Sequence, residues 1–280
     1  MGPQLIAERV TDQERVRAFL LREPVTTAYM LGDLDPAYAE YCSWWAAREG
    51  DHDVAVVLVY NGHAAPVLLT RGLAAGITAI LDAFGDDLPE RGHVHMLPDH
   101  LAALDQHFAL ERLRPMVRMG LVAADFVDPK FTLPGGYSPI ERLGHRDTGD
   151  IITLYGFYPD HFFEPHQLST GHYYGIRAEE PGGRGKLVSA AGVHVIGRAD
   201  RIAALGNIVT DPAHRGKGLS SLCTAHLVRE LIAEGMGILA LNVERHNVAA
   251  VRVYEKLGFK DHGTFLQGFM RRTLERPRAR

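Results

Sequence analysis

Cysteine is scarce in this sequence, where only Cys42 and Cys223 occur among 280 residues. Two cysteines cannot supply a disulfide framework or a four-cysteine zinc site. Each lies in a stretch with a helical pattern, so we expect buried free thiols there. No HExxH motif or similarly spaced pair of ligands occurs among the 15 histidines, and the sequence predicts no metal site.

Long hydrophobic runs are also missing. The N-terminal stretch MGPQLIAERVTDQERV contains no apolar segment of the signal-peptide type, and no run of about 18 apolar residues occurs. Charge is nearly balanced, with 30 basic and 34 acidic side chains and a formal net charge of −4. We therefore expect a cytoplasmic protein that binds neither membranes nor nucleic acid, and any anion site must be formed locally.

Strand-like and helix-like patterns alternate along the chain, and the same order occurs twice. We predict a mixed α/β (α+β) fold of two tandem lobes, residues 1–126 and 137–280, each with a mixed central sheet flanked by helices. The Pro- and Gly-rich segment 127–136 is the predicted linker. A fold in which strands and helices alternate without a repeat is the alternative.

In the first lobe, the patterns predict helices over 12–22 and 24–33. Strands are predicted over 54–60 and 66–70, joined by a tight hairpin turn at Asn61-Gly62. In the second lobe, residues 161–175 are rich in aromatic side chains. These rings could form the wall of a substrate cleft or fill the space between the lobes.

The stretch TDPAHRGKGLSS, residues 210–221, separates an apolar strand-like run from an amphipathic helical pattern. Gly216 and Gly218 permit positive φ and let an anion approach the backbone, while Arg215 and Lys217 add positive charge. Unpaired N–H groups at the start of a helix also favour an anion. The stretch therefore predicts a phosphate-binding loop.

Two nucleotide-binding motifs do not fit this loop. A Walker A sequence needs Ser or Thr after the lysine, whereas Gly218 follows Lys217. The GxGxxG fingerprint lacks its third glycine, which is replaced by Ser221, and too little chain follows for a doubly wound nucleotide-binding sheet. A nucleotide-binding oxidoreductase is therefore the weakest of the functions considered.

A second pattern lies downstream, in ILALNVERHNVAAVRVYEKLGF, residues 238–259. Its first half is a nearly continuous apolar strand, Asn247 is a good N-cap, and Gly258 suits the end of the helix. Asn247 and Tyr254 are seven residues apart, so they project from the same helix face roughly 10 Å apart. A ligand lying along this helix could contact both, although a cap and a core tyrosine would give the same pattern.

Together the two patterns resemble the GNAT superfamily of acyl-CoA-dependent N-acyltransferases. Arg215-Gly-Lys-Gly218-Leu-Ser220 is similar to the family loop [RQ]xxGx[GA], with serine at the last position. Asn247 followed by Tyr254-Glu-Lys-Leu-Gly258-Phe259 resembles the second family hallmark, and the resemblance covers about residues 187–268. The segment GNIVTDPAHRGKG also looks like the glycine-acyltransferase-like branch.

The resemblance implies acetyl-CoA as co-substrate, bound by the loop amides, by the edge of the preceding strand and by an asparagine. The implied cofactor-binding residues are Ile208, Val209, Thr210, Arg215, Gly216, Lys217, Gly218, Leu219, Ser220, Ser221 and Asn247. The thioester would lie in an opening between the strands at 202–209 and 238–243. Tyr254 matches the tyrosine that protonates the departing thiolate, and His194, Glu244 or Asn207 as a water holder could serve proton removal, with His194 the first choice.

The expected function is therefore transfer of an acetyl group to a primary amine by direct attack in a ternary complex. The acceptor would be a small molecule or a peptide. A catalytically inert acyl-CoA-binding regulatory module is the alternative. The first lobe is expected to be degenerate, since its corresponding junction LLTRGLAAG keeps Arg71-Gly72 but lacks a second glycine. The sequence predicts no oligomeric state.

Overall fold

The computed structural model of the protein describes residues 5–129, 132–159 and 163–273. The chain divides into two compact units. Unit 1 comprises Met1–Arg118 and Gly263–Arg280, and unit 2 comprises Met119–His262. None of the helices in the described ranges is both long and apolar enough to cross a membrane.

Unit 1 begins with a strand and two short helices. The elements up to the unit boundary are β1 (Leu5–Val10), α1 (Gln13–Leu20), α2 (Ala28–Gly32), β2 (Cys42–Glu49), β3 (His52–Tyr60), β4 (Val67–Gly72), α3 (Ala74–Phe84), β5 (Arg91–Met96), α4 (Leu101–Asp105) and β6 (Phe108–Val122), which continues into unit 2. The carboxylate of Asp12 caps α1 by accepting from the N–H groups of Glu14 and Arg15 at 3.0 and 3.2 Å. Helix α3 buries Ile77, Ile80 and Leu81 in the hydrophobic core of this unit.

Unit 2 repeats the same order of strands, with one helix where unit 1 has α1 and α2. Its elements are β7 (Glu141–Arg142), α5 (Thr148–Tyr155), β8 (Tyr174–Ala178), β9 (Lys186–Gly197), β10 (Ile202–Thr210), α6 (Leu219–Ala233), β11 (Ile238–Glu244), α7 (Val248–Lys256) and β12 (Lys260–Arg272), which ends in unit 1. In each unit, three antiparallel pairs are followed by one parallel pair: β1-β2-β3-β4-β5 in unit 1 and β7-β8-β9-β10-β11 in unit 2. The predicted class, two lobes with mixed sheets flanked by helices, is confirmed.

Each unit is completed by a strand from the other half of the sequence. The part of β12 that belongs to unit 1 pairs antiparallel with β5, from Leu266 opposite Met96 to Arg271 opposite Arg91. The end of β6, from Met119 onward, belongs to unit 2 and lies beside β11. The division therefore falls inside β6 and β12, whereas the sequence placed it at the linker 127–136 because strand pairing cannot be read from one sequence. That the first lobe is a degenerate copy stays a prediction.

Several local predictions need correction. Cys42 opens strand β2 rather than lying in a helix, and it is half-buried, while Cys223 is buried in α6; both thiols are free. Strands β1 and β2 were not predicted, since short segments mixing apolar and charged side chains give weak alternation. The turn after Tyr60 is not a tight hairpin, because β4 resumes only at Val67.

A buried arginine forms several ion pairs at the start of unit 2. Arg177 on β8 is 2% exposed and forms ion pairs with Glu141, Asp147 and Asp150 at 2.5, 3.1 and 2.7 Å. Burial alone would raise the pKa of Asp147, but the N–H of Gly144 and the guanidinium groups of Arg184 and Arg177 hold it below its usual value. This ionic cluster links β7, α5 and β8.

Candidate active site

Strands β10 and β11 part in the middle of unit 2. They pair in parallel from Ile202 opposite Ile238 to Leu205 opposite Leu241, and both continue beyond that point, to Thr210 and Glu244. On its other side, β10 keeps pairing with β9, with irregular register between Gly206 and Val209. The strands therefore lose their mutual pairing at the place where the sequence predicted an opening.

Asn207 lies at this irregularity with a positive φ of 53°. Positive φ is costly for a residue other than glycine, and such strain is often found at functional sites. Three side chains hold it in place. The Tyr155 hydroxyl donates to the Asn207 carbonyl, and the Asn207 amide donates to Gln167 Oε1 at 2.9 Å and to the Tyr173 hydroxyl at 2.8 Å.

His194 on β9 belongs to the same polar cluster. Its Nδ1 lies 3.2 Å from Nε2 of Gln167, whose Oε1 accepts from the N–H of Glu164 and from Asn207. Since Oε1 is the acceptor, the Gln167 amide donates to Nδ1, and in the neutral ring the proton is on Nε2. The Nε2 side of the ring lies over Gly206, because a Cβ added there would approach Nε2 to 1.9 Å. The Nε2–Cδ2 edge of the His194 ring therefore lies against Gly206, at the point where β10 leaves β11.

The loop between β10 and α6 has the geometry of an anion site. Gly216 and Gly218 have φ of 77° and 78°. Asp211 starts the loop by accepting from the N–H of Ala213 at 2.9 Å, and the first bond of α6 runs from the Leu222 N–H to the Gly218 carbonyl. The seven backbone N–H groups of residues 215–221 donate to no acceptor within the described part of the chain. Successive free N–H groups with left-handed residues between them form a concave anion-binding nest.

Two tyrosines hold the cations of this loop. Arg215 donates to the Tyr158 hydroxyl at 2.9 Å, and that hydroxyl donates to the Thr210 carbonyl at 2.5 Å. Lys217 donates to the Tyr137 hydroxyl at 2.8 Å and lies over its ring. The positive charges are therefore placed beside the nest rather than left to move in solvent.

The remaining candidates lie on β11 and α7. The side chain of Asn247 is exposed and accepts from the N–H of Ala250 at 3.2 Å, so its oxygen caps α7 while its amide faces away from that bond. Tyr254 is 6% exposed, and its ring packs edge-on against Phe259. The Glu244 carboxylate, at the end of β11, lies 3.0 Å from Nε2 of His246.

Sequence reasoning missed Gln167, Tyr155, Tyr158 and Tyr137, which position the strand irregularity and the loop. Gln167 lies in a 3₁₀ segment, Pro165–Thr170, which has no clear periodic signal. Of the aromatic side chains in 161–175, Phe163 and Tyr173 belong to the core of unit 2, where Phe163 stacks on Tyr155 at 5.1 Å. His161 and Phe162 lie outside the described residues.

The corresponding junction of unit 1, between β4 and α3, has no comparable loop. Strand β4 ends at Gly72 and α3 begins at Ala74, so one residue replaces the segment that forms the nest in unit 2. Beside this junction, the buried His100 ring lies 2.7 Å from the Thr70 hydroxyl and 2.8 Å from the Gly72 carbonyl. The His100 ring is thus hydrogen-bonded to the backbone carbonyl of Gly72, at the end of β4.

Comparison with known families and structures gives concordant results. Residues 145–259 match the acetyltransferase (GNAT) family. Among solved structures, a tandem GNAT protein from the clavulanic acid biosynthesis pathway, solved without AcCoA, superposes with a TM-score of 0.59 at 14% identity, covering 96% of this chain and 98% of that one. At this identity the similarity concerns the fold.

Two curated relatives are similar in sequence. The [ribosomal protein bS18]-alanine N-acetyltransferase of Escherichia coli K12 is 41% identical over 59 residues, which are 21% of this chain and 40% of the relative. A mycothiol acetyltransferase of Streptomyces avermitilis is 30% identical over 208 residues, 70% of this chain and 65% of the relative. The chain covers less than two thirds of either relative. Nothing in these similarities supports the inert binding module.

Proposed function

Because residues 145–259 form an acetyltransferase domain of the GNAT family, we propose that unit 2 transfers an acetyl group from acetyl-CoA to a primary amine. The observation that carries this proposal is the nest of free N–H groups at residues 215–221, placed directly after a strand that leaves its parallel neighbour. The glycine-acyltransferase-like placement stays a prediction.

The residues of unit 2 fit acetyl-CoA. The pyrophosphate would accept from the loop N–H groups, with Arg215 and Lys217 beside it. The pantetheine amides would pair with the edge of β10 at Ile208, Val209 and Thr210, where β11 no longer pairs with β10. The Asn247 amide could hold the other side of the arm. Unit 1 lacks the loop, so we expect one acetyl-CoA per chain.

The amine attacks the thioester carbonyl, forming the amide bond as the C–S bond breaks, and the leaving thiolate must receive a proton. We assign that proton to Tyr254, since a phenol stays protonated at neutral pH and can donate in the transition state. Its buried position keeps competing water away from the hydroxyl. His194, whose Nε2–Cδ2 edge lies against Gly206, would polarise the developing oxyanion.

Glu244 is the better candidate to take the proton from the acceptor ammonium. The Nδ1 lone pair of His194 is already used by Gln167, and Nε2 carries the proton. The Glu244 carboxylate accepts protons without changing tautomer, and at 32% exposure it can act through a water molecule.

The acceptor is a small-molecule amine rather than a protein N-terminus. The similarity to the ribosomal-protein acetyltransferase is confined to 59 residues, whereas the similarity to the mycothiol acetyltransferase extends over 70% of this chain. Residues outside the cofactor loop must determine which acceptor is bound, so similarity in those residues is what bears on the acceptor class. We therefore propose a small primary amine as the acceptor class.

Replacement of Gly216 by alanine tests the nest. We expect Gly216→Ala to raise the Kd for acetyl-CoA by about tenfold or more, corresponding to ~1.4 kcal/mol, because the added Cβ projects from a residue whose N–H must face the phosphate. Gly182→Ala is the matched control, since Gly182 has the same φ of 77° and the same open surroundings. Both variants carry similar backbone strain. Calorimetry showing equal affinity for the two variants would contradict the proposed site.

The second test separates the two candidates for proton removal. We expect Glu244→Gln to lower kcat/KM by about 10²-fold. His246→Gln removes the ion-pair partner but keeps the carboxylate, and should change kcat/KM little. If instead His194→Gln lowers kcat/KM by that much and Glu244→Gln leaves it unchanged, proton removal belongs to His194.

A further inference from the structure

Arg118, on β6 of unit 1, is a buried cation with no carboxylate partner among the described residues. It is 8% exposed, and its Nε and Nη1 atoms are buried with no hydrogen-bond partner in the described part of the chain. Buried arginines are almost always paired, because an isolated charge away from water is costly. Ordinary packing therefore does not explain why this charged side chain is buried with unsatisfied donors.

Aromatic rings surround the guanidinium. Its Cζ lies 4.3 Å from the centroid of Tyr29, on α2, and 5.2 Å from that of Phe265, on β12. Cation–π contacts of this kind stabilise the charge through the ring faces. They leave the Nε and Nη1 donors of Arg118 without an acceptor in the described part of the chain, so the rings stabilise the cation but do not satisfy these hydrogen bonds.

Two neighbouring side chains, Tyr29 and Arg71, act on the charge of Arg118. Burial lowers the pKa of Arg118 to about 10, the Tyr29 phenol opposes this and Arg71 adds to it, so the side chain stays charged at neutral pH. Arg71 has its own ion pair, with Glu23, and the charge of Asp99 also acts on it. Glu23 and Asp99 thus balance the charge of Arg71, whereas no acidic group in the described part of the chain balances the charge of Arg118.

We propose that unit 1 binds a small organic monocarboxylate at Arg118, between Tyr29 and Phe265. One uncompensated positive charge matches one negative charge, which favours a carboxylate over a doubly charged phosphate. Guanidinium N–H groups form strong, charge-assisted hydrogen bonds to carboxylate oxygens, and Nε and Nη1 of Arg118 are available for such bonds. The two rings offer apolar contact to an aliphatic or aromatic body on the same ligand. This site is distinct from the acetyl-CoA loop, which lies in unit 2.

Benzoate is the probe for this site, with benzamide as its neutral counterpart. We expect the full chain to bind benzoate saturably in calorimetry, and Arg118→Met to raise the Kd by about tenfold or more, because the charge-assisted bonds are lost. Arg9→Met is the matched control: Arg9 also lies on a strand over an aromatic ring, that of Trp45 at 5.9 Å, but it is exposed. Arg9→Met should bind benzoate like the parent protein, and benzamide should not bind.

Two further measurements of benzoate binding test the site, one with Arg118→Lys and one with acetyl-CoA present. Arg118→Lys retains the buried charge, so it tests the planar donor edge even if Arg118→Met fails to fold, and we expect weaker benzoate binding. Saturating acetyl-CoA should leave benzoate binding unchanged. No saturable binding at millimolar benzoate, undiminished binding by Arg118→Lys, or competition with acetyl-CoA would each overturn the site. The readout is binding alone, so failure of the proposed acetyl transfer would not affect it.

Discussion

Tyr254→Phe is expected to lower the kcat of acetyl transfer by about 10²-fold or more while leaving the Kd for acetyl-CoA nearly unchanged. The substitution removes one hydroxyl from a side chain that is 6% exposed and keeps the ring that packs on Phe259. The fold and the loop at 215–221 should therefore be unaffected. What is lost is the proton donor for the CoA thiolate, which acts only as the C–S bond breaks.

The measurement is steady-state release of CoA thiol with a panel of small primary amines, combined with calorimetry of acetyl-CoA. Tyr41→Phe is a suitable control, because Tyr41 lies in unit 1 and is 41% exposed; its kcat should equal that of the parent protein. An unchanged kcat in Tyr254→Phe would remove the tyrosine from the mechanism. A parallel loss of acetyl-CoA affinity would show that the hydroxyl contributes to binding instead.

Arg177→Met should destabilise unit 2 by about 3–5 kcal/mol, the usual result of breaking a buried ion pair by removing one partner. The methionine can fill the space of the arginine stem, but Asp147, whose side chain is fully buried, would lose the closest buried cation. Asp150 would lose its ion pair with Arg177 as well, and Glu141 would keep only its ion pair with the more exposed Arg184. The expected signal is a lower urea midpoint for the transition of unit 2.

Arg184→Met is the matched control for this cluster. Arg184 pairs with the same carboxylates, Glu141 at 3.2 Å and Asp147 at 2.6 Å, but its side chain is 44% exposed. Because solvent screens exposed ion pairs, its loss should cost about 1 kcal/mol or less. Equal effects of the two substitutions would mean that burial of the cluster does not determine its contribution.

The long elements and the loop could be predicted from the sequence because their signals are local. Helix α6 was expected from the spacing of Leu219, Leu222, Leu227 and Leu231, which are all buried in the structure. The positive φ at the two loop glycines was expected from residue type alone. Asn247 was expected as a cap, and its side chain accepts the bond that a cap should accept.

What could not be predicted depends on contacts between distant parts of the chain. The hydrogen bonds from Tyr155 and Tyr158 to carbonyls of β10 join α5 and the residues after it to a strand about 50 positions away, a separation that no local periodicity encodes. The tautomer of His194 depends on Gln167 in the same way. The proposed roles of Tyr254, Glu244 and His194 stay predictions until turnover is measured.

Each unit is completed by a strand from the other half of the sequence, and this has a consequence for synthesis of the protein. Residues 5–118 can form most of unit 1 while the chain is still emerging from the ribosome, but the edge of β5 that receives β12 has no partner until the last strand has been made. An unpaired edge strand is a site for aggregation during that interval. Completion of the first unit is thus delayed until the second is almost fully translated, and a chain cut after residue 126 should be insoluble rather than a smaller folded protein.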